Sequence, residues 1–225
     1  MFKLYRWKCS ILSCFEPILV YIGIQTVTVL IEFTMYIKNI DASYISIVSS
    51  YMNILIILLF FLCFHKRIKE ITKNCLSDFY EVLSAKLIIK LILFSILIRV
   101  LIILASVIIL LLDNELVNSN LFSNSEMTFS IINMVTVCLV GPIFEEILFR
   151  GLLLDNLCKY GLSYNKANLM QTLVFMFMHG SMLALISSFF FGLYQGELRR
   201  RYKSIIIPIL FHVFFNIFGF INMVV

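Results

Sequence analysis

The chain has 225 residues, of which 61% are hydrophobic and 14% are charged, and its mean hydropathy is +1.00. Soluble domains average about 25% charged residues, and the long apolar runs here lack the period-two alternation of a β-barrel, so the composition excludes both classes and predicts an all-α bundle of transmembrane helices. The net charge of +5 comes from short basic stretches between the apolar runs, which argues against nucleic-acid binding.

Three long apolar runs dominate the amino-terminal half, at about residues 11–37, 44–64 and 87–112. The first is too long for a cleaved signal segment, so we expect it to be retained. Between the second and third runs lies a polar stretch, 65–86, part of which is expected to lie on the membrane surface. Arg99 falls near the middle of the third run. We expect it to face the bundle interior, where it pairs with a glutamate or helps to bind an anionic substrate group.

Four further helices are predicted in the carboxyl-terminal half, after an acidic link at 113–128. They begin near residues 128, 163, 183 and 204. The first contains Pro142, which is expected to kink it. The third contains Gly192-x-x-x-Gly196, a spacing that lets another helix approach closely. The sequence therefore predicts about seven spans, with six to eight possible, in a single integral membrane domain over residues 1–225.

The basic residues are distributed as the positive-inside rule requires for seven spans. With a cytosolic amino terminus, all but three of the 18 lysines and arginines lie in cytosolic segments. Only Lys38 is external, and Lys90 and Arg99 lie within a span. We therefore predict a multi-pass protein of the cell membrane whose carboxyl terminus is external.

Two adjacent carboxylates interrupt the apolar fourth helix, in the run Gly141-Pro-Ile-Phe-Glu-Glu-Ile-Leu-Phe-Arg-Gly151. Arg150 follows Glu146 by four residues, so the two side chains can pair on one helix face. Glu145 lies about 100° further round the helix and is left free. Charges at membrane depth are costly, which favours a functional site over the alternative, an ion pair that only locks helices together.

Three polar residues of the last helices can reach the same depth as the carboxylates. At 1.5 Å per residue, Glu145 and His179 lie roughly 20 and 24 Å from the cytosolic ends of their helices. His212 and Asn216, which share a helix face, lie at roughly 14 and 20 Å. A glutamate and a histidine around one water form a general base, while a second histidine and an amide can donate to an oxyanion. This set predicts amide hydrolysis without a covalent intermediate.

A zinc site is the less favoured alternative for the same side chains. Two histidines and a glutamate are good zinc ligands, but the helical H-E-x-x-H pattern and any dense Cys/His cluster are absent from the sequence. We therefore predict neither a metal nor another cofactor.

The polar residues also form three motifs in a fixed order. The motifs are Glu145-Glu146-x-x-x-Arg150, Phe175-x-x-x-His179 and His212-x-x-x-Asn216. They resemble the motifs of the CPBP family, also called Abi, which comprises type II CAAX prenyl proteases and bacteriocin-processing proteins. The resemblance covers about 130–220, which would be the catalytic core, whereas the spans of 1–128 carry no motif.

The resemblance implies an intramembrane glutamic endopeptidase. In that family, Glu145 would activate the water and His179 would help to hold it, while His212 and Asn216 would form the oxyanion hole. The residues that would order the site are Glu146 and Arg150, with a share for Glu146 in catalysis left open.

The expected substrate is a peptide or a membrane-anchored protein within the lipid bilayer. The short chain and its composition favour a bacterial member, and bacterial relatives are linked to bacteriocin maturation and self-immunity. The alternatives are a non-enzymatic bacteriocin immunity or scaffold protein and, less favoured, a small transporter that uses the glutamates as a proton relay.

Overall fold

The computed structural model describes residues 11–73, 83–112, 134–179 and 182–224, which are helical almost throughout. The helices are, in chain order, α1 Ile11–Cys14, α2 Glu16–Ile37, α3 Ala42–Thr72, α4 Ala85–Leu112, the composite helix α5, α6 Tyr164–Phe177, α7 Met182–Tyr202 and α8 Ile206–Val224. Helix α5 runs through four consecutive segments, Thr136–Val140, Gly141–Glu146, Ile147–Leu153 and Leu154–Tyr160. Apart from the one-turn α1, these described parts hold seven helices and no strand, which confirms the predicted all-α bundle.

Three helical stretches are long and apolar enough to cross a bilayer: Glu16–Ile37, Tyr51–Thr72 and Ala85–Ile108. A shorter apolar stretch, Ile206–Phe220, lies in α8. Many leucine, isoleucine and phenylalanine side chains on α2, α3 and α4 are exposed on the outside of the bundle, as expected for helix faces that contact acyl chains. The chain is therefore a multi-pass membrane protein.

Two helix boundaries differ from the sequence prediction. The first apolar run is divided at Phe15, because Pro17 lies in the first turn of α2, where a residue without an N–H is tolerated. Helix α3 continues to Thr72, beyond the predicted end at residue 64, because lysine and arginine are good helix formers and do not end a helix. The predicted surface segment and the acidic link fall largely on 74–82 and 113–133, which lie outside the described residues.

Helix α5 forms the centre of the bundle. Every residue from Glu146 to Leu154 is buried, on all sides of the helix. It packs against α2, α3, α6, α7 and α8. An apolar helix that is surrounded in this way is the core of the protein rather than a surface helix, so Glu146 is placed in the interior and Glu145 is partly buried beside it.

Two segments of α5, Thr136–Val140 and Ile147–Leu153, have the wider turn of a π-helix. At the end of the first segment, the Gly141 N–H donates to the Thr136 carbonyl, five residues back. Pro142 follows directly and is accommodated by this widened turn, while the backbone at Val140 and Gly141 stays helical. The turns flank the two glutamates, and π-helical turns are frequent at functional sites.

Helices α6 and α7 approach closely through glycines. A Cβ atom on Gly192 would lie 2.9 Å from the Thr172 side chain, and one on Gly196 would overlap the Asn168 amide. The Tyr164 hydroxyl donates to the Gly196 carbonyl at 2.7 Å. The close helix contact predicted from the Gly-x-x-x-Gly spacing is therefore present.

The basic ends of several helices meet at one end of the bundle. Arg67, near the end of α3, pairs with Glu16 at the start of α2 at 3.0 Å. Arg199, near the end of α7, lies 3.8 Å from Asp155 near the end of α5. The basic segments that the sequence assigns to one side of the membrane are thus neighbours in space, and their cytosolic location stays a prediction.

Candidate active site

Three donors surround the buried carboxylate of Glu146. Arg150 Nη1 donates to Glu146 Oε1 at 3.0 Å, and Gln195 Nε2 donates to the same oxygen at 3.2 Å. His212 Nδ1 lies 2.8 Å from it, and because an ionised carboxylate only accepts, this ring nitrogen carries a proton. Glu146, Arg150 and Gln195 are each 0% exposed. The predicted contact between Glu146 and Arg150 is therefore present, inside a larger network.

Aromatic and backbone groups complete the surroundings of Arg150. Its Nη2 donates to the Gly192 carbonyl at 3.4 Å, and its guanidinium carbon lies 4.5 Å from the centre of the Phe175 ring. A guanidinium is the cation best suited to such a buried position, because it binds a carboxylate and stacks on a ring at the same time. Arg150 thus neutralises Glu146 and connects α5 to both α6 and α7.

Glu145 has different surroundings from its neighbour. Its side chain is 34% exposed and borders a cavity of about 100 Å³. The cavity is lined by Tyr21, Phe144, Glu145, Leu148, Phe149, Phe175, Met178 and His179. Glu145 Oε2 is buried and has no hydrogen-bond partner among the described residues. As predicted, this carboxylate is not neutralised within its own helix, and it faces a space with room for a few water molecules.

His179 borders the same cavity from the end of α6. Its Nδ1 lies 2.9 Å from the Phe175 carbonyl, which can only accept, so Nδ1 carries a proton. In the neutral ring, Nε2 then has a free lone pair. The Phe175 and His179 rings also contact each other, with centres 4.7 Å apart. The structure thus brings Glu145 and His179 to one cavity and fixes the orientation of the imidazole.

His212 lies between the two carboxylates. While its Nδ1 binds Glu146, its Nε2 lies 3.8 Å from Glu145 Oε2. The Phe191 ring packs edge-on against the imidazole, with centres 4.7 Å apart. His212 therefore reaches Glu145 from the α8 side, whereas the described lining of the cavity comes from α2, α5 and α6.

Asn216 lies one turn further along α8. Its Nδ2 donates to the Val137 carbonyl at 2.9 Å, which ties α8 to the first π-helical segment of α5. The amide is thus on the helix face shared with His212, as predicted, but its partner among the described residues is a backbone group of α5.

Arg99 faces the bundle interior, as predicted, but without the glutamate partner. Its Nε donates to the Phe215 carbonyl at 2.9 Å, and its guanidinium carbon lies 3.7 Å from the centre of the Phe215 ring. The guanidinium fills the space beside Gly219, where a side chain would clash. Among the described residues, a carbonyl and a ring bind this cation, so the predicted pairing with a glutamate is not found.

Two residues of the site were not predicted from the sequence. Tyr21 of α2 borders the cavity, and its hydroxyl accepts a hydrogen bond from Gln25 Nε2 at 2.9 Å. Gln195 binds both Glu146 and the Pro208 carbonyl, the latter at 3.1 Å. The signal for Gln195 was a glutamine between two glycines of an apolar helix. Tyr21 and Gln25 are four residues apart, so they share a face of α2.

A metal site requires ligands that converge on one point. Within the described ranges, no group of three His, Cys, Asp or Glu side chains has a geometry that could hold a metal ion.

Residues 127–218 match the family described as Type II CAAX prenyl endopeptidase Rce1-like. The match covers less than half of the chain and shows a likeness to this family over that range. The matched range includes all three motifs, the glutamate pair and both histidine positions, whereas Tyr21 lies outside it. No curated protein and no solved structure matches the chain. The matched range thus includes α5, α6, α7 and most of α8, and α1 to α4 lie outside it.

Proposed function

We propose that the protein is an intramembrane endopeptidase in which Glu145 activates a water molecule for attack on a peptide carbonyl. One observation carries this proposal: Glu145 is partly exposed to a cavity that it shares with His179 and has an unpartnered oxygen, whereas Glu146 is fully buried away from that cavity, with three donors on its Oε1 and none on its Oε2. The match to an endopeptidase family over residues 127–218 supports the same reaction class.

Glu145 acts as the general base, and His179 positions the water. The lone pair on His179 Nε2 accepts one water hydrogen, and the Glu145 carboxylate takes the other as the water oxygen bonds to the carbonyl carbon. Glu145 then returns that proton to the amine nitrogen as the C–N bond breaks. Water is consumed, an acid and an amine are released, and no covalent enzyme intermediate forms.

His212 and Asn216 remain our candidates for stabilising the oxyanion. Because Glu146 holds the His212 Nδ1 proton, a donor role for Nε2 requires a second ring proton, for which the adjacent Glu145 is a counter-charge at 3.8 Å. Asn216 retains one amide hydrogen beyond the one given to Val137. The Tyr21 hydroxyl accepts from Gln25, which leaves its own proton for the cavity. We therefore add Tyr21 as a third donor.

Glu146 and Arg150 serve as positioning residues. Glu146 accepts the hydrogen bond of His212 Nδ1, and Arg150 provides the counter-charge of Glu146 in an otherwise apolar interior. Their contacts also reach α6, α7 and α8 through Phe175, Gln195 and His212. An ion pair that only locked helices together would not need the histidine as a partner.

The substrate in this proposal is a peptide or a membrane-anchored protein with an apolar segment at the cleavage site. The aromatic and aliphatic lining of the cavity, with Phe144, Leu148 and Phe149, supports an apolar segment. Bacteriocin maturation or self-immunity is the cellular role that we propose for such an activity in a bacterial member of the family.

A comparison of peptide ends in cells tests this function even while the substrate is unidentified. Membrane and secreted fractions from cells that express the wild type or Glu145→Gln are compared by mass spectrometry of new amino termini. Purified enzyme is then incubated with the candidate peptides and with a farnesylated CAAX peptide. New ends that depend on Glu145 support a peptidase. Identical ends in both strains, with protection against a bacteriocin in both, would support the non-enzymatic immunity alternative instead.

A further inference from the structure

A second, larger cavity of about 320 Å³ lies at the basic end of the bundle. It is lined by Arg67, Glu70, Ile71, Gly151, Leu152, Asp155, Asn156, Lys159, Arg199 and Lys203. On α5, Asp155 follows Glu145 by ten residues, which corresponds to about 15 Å along the helix. This cavity is therefore separate from the one beside Glu145.

The charges around this cavity do not balance. Four cationic side chains face two lining carboxylates, and Glu16 pairs with Arg67 from outside the lining, which leaves an excess of one positive charge. Arg67 is bound by Glu16 and Asn156, and Arg199 lies 3.8 Å from Asp155. Lys159 and Lys203 make no hydrogen bond or close ion pair with a described residue, although Lys159 interacts electrostatically with Asp155. Two ammonium groups beside one cavity, neither of them hydrogen-bonded to a described carboxylate, indicate that a negatively charged ligand would be stabilised there.

The backbone holds part of this arrangement in place. Lys203, in the turn between α7 and α8, has φ of 52°, in the left-handed region that glycine usually occupies. Gly151, which also lines the cavity, packs so closely that an added Cβ would lie 3.2 Å from Ile71 and 3.1 Å from Ile205. The backbone of Lys203 thus lies in a defined turn, from which its flexible side chain reaches the cavity lining.

We propose that this cavity binds the phosphate of an anionic phospholipid headgroup. It lies where membrane-spanning helices end, and basic pockets between such helices bind acidic headgroups. Helix α3 exposes Leu59 two turns before Arg67 and about 80° from it around the helix, which gives the acyl chains of a bound lipid an apolar surface near the cavity. A free phosphate would use the lysines but gain nothing from that surface.

Binding of defined lipids to the purified full-length protein tests this site. The pocket variant is Lys159→Gln/Lys203→Gln, and the matched control is Lys66→Gln/Lys166→Gln. The control removes the same charge from exposed lysines of α3 and α6, outside the cavity lining. Phosphatidylglycerol, phosphatidylcholine, glycerol phosphate and an acidic peptide are the probes, and bound lipid is counted by native mass spectrometry and by the rise in Tm.

Phosphatidylglycerol should bind the wild type and the control variant with the same affinity. The pocket variant should bind it about 30-fold more weakly, since each lysine near an anionic headgroup contributes about 1 kcal/mol. Both variants should melt near the wild-type temperature without lipid. If the double variant is unstable, the single variant Lys203→Gly replaces it, because glycine removes the charge and is favoured in this left-handed turn. Equal weakening in the control and the pocket variant would overturn the site, as would equal binding of glycerol phosphate or tighter binding of the acidic peptide.

Discussion

Glu145 and Glu146 are neighbours in the chain but have opposite surroundings. Each has one oxygen without a described partner, but Glu146 is fully buried with three donors on its other oxygen, whereas Glu145 borders a cavity. The difference follows from the 100° between successive residues of a helix, which turns one carboxylate toward Arg150 and the other toward His179. We therefore propose that Glu146 is a positioning residue and that Glu145 is the catalytic base.

Replacing Glu146 by glutamine should destabilise the protein. The change leaves the Arg150 guanidinium buried without a counter-charge, and breaking a buried pair typically costs about 3–5 kcal/mol. Thermal unfolding of Glu146→Gln in detergent measures this loss. Glu16→Gln is the control, because its ion pair with Arg67 is exposed and such pairs contribute at most about 1 kcal/mol. Similar small shifts for both variants would contradict the assigned role of Glu146.

Removal of metal ions tests whether Glu145 and His179 act without zinc. If Glu145 and His179 bind water directly, a strong chelator should leave cleavage unchanged. Activity is measured before and after dialysis against the chelator, with the metal content determined in both samples. Complete loss, with recovery only on addition of zinc, would favour the zinc alternative.

At the scale of the helix, local contacts were predictable from the sequence and distant ones were not. The Glu146–Arg150 contact follows from a spacing of four residues, and the approach at Gly192 follows from the absence of a side chain. The partner of Arg99 is a backbone carbonyl, which carries no sequence signal. Tyr21 was not predicted because a tyrosine in an apolar helix is common and no sequence pattern links it to α5.

Alanine at Gly192 should disturb the contact of α6 with α7. The new Cβ on α7 would lie 2.9 Å from the Thr172 side chain on α6. The carbonyl of Gly192 itself accepts a hydrogen bond from Arg150, so a shift of this residue would also disturb that bond. Such overpacking costs about 1–3 kcal/mol. Gly23→Ala is the matched control, since nothing lies within 4 Å of its Cβ position, and there alanine should be neutral or stabilising by up to about 1 kcal/mol. Melting temperatures of the two variants in detergent decide between these outcomes, and equal values would count against the packing described here.

Across the whole molecule, charge and hydropathy predicted the bundle but not its internal order. The apolar runs predicted the long helices. The basic segments predicted which helix ends share one side of the membrane, and the contact between Arg67 and Glu16 agrees with that prediction. The π-helical turns around the glutamates have no reliable sequence pattern, since they depend on how α5 is packed on every side. The contact of His212 with Glu146 joins residues that are 66 positions apart. The depth estimates allow these side chains to meet but do not specify which pairs make contact.

Reporter fusions test the orientation of this bundle in the cell membrane. Fusions after Lys73 and Lys203 should report a cytosolic location, and a fusion after Val225 an external one, because the lysine and arginine residues favour the cytosolic side. Alkaline phosphatase and green fluorescent protein give opposite signals for the two sides. An external Lys203 together with a cytosolic Val225 would reject the predicted orientation.

The most direct test of the central claim compares Glu145→Gln with the wild type in turnover and in stability. Glutamine keeps the size of the side chain but cannot take a proton, so cleavage of an identified substrate should fall by about 100-fold or more. The Tm should stay close to that of the wild type, because no described hydrogen bond of Glu145 is lost. A Glu145→Gln enzyme that cleaves at the wild-type rate, beside a Glu146→Gln enzyme that is stable and inactive, would contradict the account and reverse the two roles.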